Sequence, residues 1–126
     1  MDPPVRVLVV EDNRDSADCL ALLLRHFGAE VQVVYDGETA TSTASGFKAD
    51  LLLIDLGLPT VDGLAVGQQV RERPELAKAL MVAITGHGDA GHRAGATIAG
   101  FDQYLLKPVT SEQLQGLLEK CERVRV

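Results

Sequence analysis

The chain alternates short apolar runs with segments whose apolar residues recur every three or four positions. Runs at 5–10 (VRVLVV), 30–35 (EVQVVY), 51–55 (LLLID), 80–85 (LMVAIT) and 103–107 (QYLLK) have the length of strands. Most are too uniformly apolar for a sheet with one wet face, so both faces are expected to be covered. Between the first two runs, Ala17, Leu20, Leu23, Leu24 and Phe27 fall at helical spacing and Gly28 supplies a stop. Further helices are predicted at 38–45, closed by Gly46, from Leu64 through Val66 and Val70 to before Pro74, at 89–99, and from Thr110 or Ser111 to about 123. The segment at 89–99 is the weakest, because Gly91 and Gly95 each cost roughly 1 kcal/mol relative to alanine. Thr110 and Gln113 have the spacing of a capping box. Strand and helix alternate five times, which implies parallel strands joined by right-handed crossovers: a doubly wound α/β fold with five strands and five helices.

Composition narrows the function classes. At 126 residues and 46% hydrophobic content, the chain fits one compact domain over 1–126, with no repeat, linker or low-complexity segment. A net charge of -6 argues against direct nucleic-acid binding, which needs an excess of Lys and Arg. Cys19 and Cys121 read as reduced thiols rather than a disulfide framework. The first apolar run is interrupted by Arg6 and is too short for a signal segment or a membrane span, so a cytoplasmic location is expected.

Polar groups recur at one kind of place. The first strand is followed by Glu11 and Asp12, the third ends in Asp55, the fourth in Thr85, and the fifth in Lys107 before Pro108. In an open α/β sheet, ligands bind beyond the carboxyl ends of the strands, where strand order reverses. If the strand order is the flavodoxin-like 2-1-3-4-5, one of the orders that doubly wound sheets adopt, strands one and three flank that reversal and bring Asp12 and Asp55 together. Crowded carboxylates repel one another unless a cation sits among them. An all-oxygen set suits magnesium and disfavours zinc. Thr85 offers a hydroxyl and Lys107 a fixed positive charge, both suited to phosphoryl oxygens.

The ordered segments VLVVEDN, LLLIDLGLPTVDG, AITGHG and YLLKPV resemble the receiver domain of two-component response regulators, over nearly the whole chain. The resemblance implies that Asp55 accepts a phosphoryl group from the phosphohistidine of a histidine kinase or histidine phosphotransfer domain. It implies that Glu11 and Asp12 help hold magnesium, with Asp12 as the direct ligand beside Asp55 and the backbone carbonyl of Gly57 as a third. It also implies that Thr85 and Lys107 contact the phosphoryl oxygens, that Tyr104 reorients with Thr85 on activation, and that the Lys107–Pro108 peptide is cis. The signal would pass through the face of the fourth helix, fifth strand and fifth helix to a downstream protein. Such a chain catalyses its own phosphorylation and dephosphorylation and turns over no metabolite. The DLGLP and KPV segments are similar to receivers of hybrid histidine kinases, so both a stand-alone regulator and a hybrid-kinase receiver fit. Gly86 stands where the family usually has alanine, Val109 where phenylalanine is frequent, and Gly57 places no side chain beside Asp55.

Taken singly, most of these residues have plainer readings. Glu11 and Asp12 fit a helix N-terminus, Thr85 a strand-end turn, Lys107 a solvated lysine and Tyr104 a core aromatic. Asp55 resists such a reading, since a buried unpaired carboxylate is costly. His87 lies two residues after Thr85 and would border the site, whereas His26 and His92 read as solvated. Two other classes remain as alternatives. A phosphoaspartate-type hydrolase would share the nucleophile and metal, but Asp55 is followed by Leu56 and Gly57 rather than completing a DxD motif. A phosphorylation-silent binding module with the same fold would not need Asp12, Asp55, Thr85 and Lys107 together.

Overall fold

The computed structural model describes residues 3–57, 63–86 and 100–124. Five strands, β1 (Arg6–Val10), β2 (Glu30–Val34), β3 (Leu51–Asp55), β4 (Leu80–Thr85) and β5 (Gln103–Leu106), form one parallel sheet in the order β2-β1-β3-β4-β5. Four α-helices accompany them among the described residues: α1 (Arg14–His26), α2 (Ala40–Phe47), α3 (Gly63–Arg71) and α4 (Ser111–Val124), with a 3-10 turn at Pro74–Leu76. The helix predicted at 89–99, with Gly91 and Gly95, and the candidate His87 lie outside the described residues, so α4 is the predicted fifth helix.

The uniformly apolar strands are buried on both faces. Leu8, Val10, Leu52, Ile54, Met81 and Ala83 face a core closed by Ala40 and Ala44 of α2 and Val66 and Val70 of α3. Their alternates Val7, Val9, Leu51, Leu53, Val82 and Ile84 face Ala17, Ala21 and Leu24 of α1 and Leu114, Leu117, Leu118 and Cys121 of α4. The in-register pairs Val10 with Ile54 and Asp55 with Ile84 align the carboxyl ends of β1, β3 and β4 at one edge.

Local signals behave mostly as expected. Gly28 ends α1 with φ +94°, its N–H donating to Arg25 O at 3.0 Å while the Ala29 N–H reaches Leu24 O at 3.0 Å, the two bonds of a Schellman motif. The capping box of α4 is reciprocal: Gln113 N–H donates to Thr110 Oγ1 at 3.1 Å, and Thr110 N–H to Gln113 Oε1 at 2.9 Å. One expectation is corrected and one plainer reading is set aside. Gly46 does not close the second helix, which runs to Phe47 and turns at Lys48, a non-glycine residue at φ 58°. The cap of α1 is neither Glu11 nor Asp12 but Asn13, whose side chain accepts the Ser16 N–H at 2.9 Å. Those two acids are thereby released from a capping role.

Candidate functional site

Glu11, Asp55 and Thr85 are 2%, 7% and 1% exposed, an unusual depth for two carboxyls and a hydroxyl, while Asp12 is exposed beside them. All three acids place a carboxylate oxygen within 4.8 Å of one another, the clustering that the carboxyl ends of adjacent β1 and β3 impose. Lys107 follows β5, two strands away, and its side chain crosses the edge to reach them. Its Nζ donates to Glu11 Oε1 at 2.7 Å and to Asp55 Oδ2 at 3.2 Å. The Gly57 N–H donates to Asp55 Oδ1 at 2.9 Å, so each Asp55 oxygen is held by a separate donor. The Lys107–Pro108 peptide is cis.

These contacts separate the two buried carboxyls electrostatically. Burial, then the interaction with Asp55, pushes Glu11 up to about 7 against the opposing pull of Lys107. Burial would also raise Asp55, but the interaction with Glu11, the hydrogen bond from the Gly57 amide and the charge of Lys107 outweigh it and hold that carboxyl below its ordinary value. Burial would lower Lys107, yet Glu11 and Asp55 together keep it above its ordinary value. The two shifts run in opposite directions, so Asp55 holds its charge more readily than Glu11. Glu11 Oε2 is buried with no hydrogen-bond donor among the described residues. An orphaned buried acceptor of this kind is relieved by a proton or by a cation. With two further acids adjacent and only oxygen donors in the set, the residues fit a hard divalent ion such as magnesium.

The structure brings together Glu11, Asp12, Asp55, Gly57 and Lys107, and it sets Thr85 at the same edge through a backbone bond from Lys107 N–H to Thr85 O at 2.9 Å. Tyr104 lies within β5, two residues before its carboxyl end. It pairs with Ala83 across β4 and β5 and packs partly buried on the α2/α3 side. Thr85, two residues beyond Ala83, points to that same side by strand alternation. The direct Glu11–Lys107 bond was not foreseen from sequence, nor was the role of Gly63. A Cβ at Gly63 would lie 2.5 Å from Asp55 O and 2.7 Å from Leu56 Cα, so only glycine lets α3 begin against the end of β3. No spacing rule signals which glycine a distant strand will touch.

The chain has relatives among known proteins. The family described as response regulator receiver domain matches residues 7–119. The transcriptional regulatory protein TrcR of Mycobacterium tuberculosis is 31% identical over 125 residues, covering 96% of this chain and 48% of TrcR. The signal transduction histidine-protein kinase BarA of Escherichia coli is 30% identical over 112 residues, covering 89% of this chain and 12% of BarA. The chain thus spans about half or less of these relatives' length. Among solved structures, the receiver domain of the sensor histidine kinase PA1611 of Pseudomonas aeruginosa, which has a magnesium ion coordinated in its active site cleft, superposes with a TM-score of 0.86. It is 28% identical, and the match covers 98% of this chain and 99% of that one.

Proposed function

The chain belongs to the response regulator receiver domain family of two-component systems, and from that membership we propose that it takes a phosphoryl group from the phosphohistidine of a histidine kinase or histidine phosphotransfer domain onto Asp55. The observation that carries this reading is the state of Asp55: buried and held ionised, with one oxygen on the Gly57 amide and the other on Lys107. Asp12, Asp55 and the Gly57 carbonyl would hold magnesium, with Glu11 beside them, as the ion in the PA1611 receiver suggests by analogy. When bound, that ion neutralises charge on the transferred group's oxygens.

In the transfer, one Asp55 oxygen forms a bond to phosphorus as the P–N bond breaks, and the electron pair of that bond returns to the imidazole. Lys107 moves from its carboxylate partners to a phosphoryl oxygen, and the Thr85 hydroxyl donates to another. Positioning by the rigid sheet supplies the rest. Hydrolysis reverses the modification: water attacks phosphorus, the bond to the Asp55 oxygen breaks, and phosphate leaves.

The added charge then draws Thr85 toward the phosphoryl group and opens space for Tyr104 to turn inward, remodelling the face that includes β5 and α4. A downstream protein would read that face.

The test is intact-mass spectrometry after treatment with acetyl phosphate and magnesium. Wild type gains one phosphoryl adduct and Asp55→Asn gains none. An undiminished adduct in Asp55→Asn sinks the assignment.

A further inference from the structure

A cleft of about 950 Å³ opens at the amino-terminal edge of the sheet, the edge opposite Asp55. Its walls come from the end of α2, the turn before β4, the start of β5 and α4. Three of the chain's four lysines, Lys48, Lys78 and Lys120, line it, in a protein whose net charge is -6. All three are exposed, and none of their ammonium groups makes an ion pair or a hydrogen bond among the described residues.

The acids in the cleft already have partners. Asp102 Oδ2 accepts from Arg71 and from the Met81 N–H, and Asp50 Oδ2 accepts the Arg6 N–H at 2.9 Å. Glu75 stands 4.0 Å from Arg73. Arg71 is itself fixed as wall, donating Nε to Gly100 O and Nη1 to Ala79 O, both at 2.9 Å. A lysine at a helix end complements the carbonyl dipoles, which accounts for Lys48 after α2. It does not account for Lys78, in a turn, or for Lys120, in the third turn of α4. Like charges converging on one concavity repel unless an anion joins them. Ser45, on the same wall, carries a hydroxyl oxygen that is buried without a partner among the described residues. The volume lies in the range of small-molecule sites.

We propose that this cleft binds a small polyanion carrying at least two phosphate or carboxylate groups, with Lys48, Lys78 and Lys120 as its charge partners. The site is independent of the chemistry at Asp55. It recognises charge and span rather than a base or sugar, since no aromatic side chain lines it among the described residues.

The test is amide NMR of the 126-residue chain in EDTA at low salt, titrated separately with pyrophosphate and with citrate. Pyrophosphate should give saturable shifts at Lys48, Asp50, Leu80 and Cys121, with Asp55 and Lys107 unaffected. The triple variant Lys48→Gln/Lys78→Gln/Lys120→Gln removes a charge-assisted hydrogen bond at each lysine and should weaken binding at least about tenfold. Lys78→Glu alone should weaken it as well, and provides the answer if the triple variant folds poorly. Equal binding by citrate would show that charge suffices, and binding by pyrophosphate alone would show that phosphate is selected. Unsaturable shifts, shifts confined to Asp55 and Lys107, or unchanged affinity in the lysine variants would overturn the proposal.

Discussion

Lys107 donates its backbone N–H to the carbonyl of Thr85 at 2.9 Å, one ladder step beyond the last residue of β5. The two side chains expected to grip a phosphoryl group are thus mounted on a shared hydrogen bond, while the Lys107 ammonium reaches back across the sheet edge to Asp55. Thr85 is thereby bonded to the base of Lys107, and β5 connects that position to Tyr104.

That linkage predicts a separation of chemistry from signal. Thr85→Ala keeps Asp55, Gly57 and Lys107 and should still gain a phosphoryl adduct by mass. It should lose most of the phosphate-dependent chemical-shift change at Tyr104. Unaltered Tyr104 shifts in the variant would break the proposed coupling.

Removing metal should silence the acceptor. With EDTA in excess, the adduct at Asp55 should disappear. Few protein ligands and several retained waters imply modest magnesium affinity, and Asp12→Ala should weaken it by about tenfold or more in calorimetric titration. Wild-type affinity in Asp12→Ala would place the ion elsewhere.

The buried acids should leave a signature in the pH dependence of stability of the metal-free protein. Glu11 titrates near 7 when folded against an ordinary 4.5, so between these values the folded chain retains a proton that the unfolded chain releases. Stability should therefore fall as pH rises through that window, and Glu11→Gln should flatten the decline. Asp55 has the opposite sign: its carboxyl is lowered, so its contribution is present above an ordinary value of 3.8 and is lost only as pH falls further. Urea midpoints at a series of pH values in EDTA would separate the two, and a midpoint rising between 4.5 and 7 would contradict the Glu11 assignment.

Two glycine substitutions should move stability in opposite directions. Gly63→Ala drives a methyl group into the backbone of Asp55 and Leu56 and should cost on the order of 3 kcal/mol, with loss of the adduct. Gly116→Ala, inside α4 with nothing within 4 Å of the added Cβ, should stabilise by about 0.5–1 kcal/mol. Chemical denaturation measures both.

The periodicity of the chain alone determined the alternation of strands and helices, the burial of both sheet faces, the Gly28 stop and the Thr110–Gln113 cap. These are decided within a few residues by side-chain period and backbone freedom, so they are legible locally. The placement of acids at strand ends was legible for the same reason. Tertiary structure alone decided what those acids touch. Glu11 and Asp12 are adjacent in sequence, yet one is buried against Lys107 and the other is exposed, because only the partner strands distinguish successive positions at a sheet edge. Gly63 and Lys48 follow the same logic: a close approach of β3 reserves one site for glycine, and the end of α2 holds a lysine at positive φ where sequence favours Gly46. The convergence of Lys48, Lys78 and Lys120 has no sequence period, since elements far apart in the chain meet at the amino-terminal edge only once the sheet has formed.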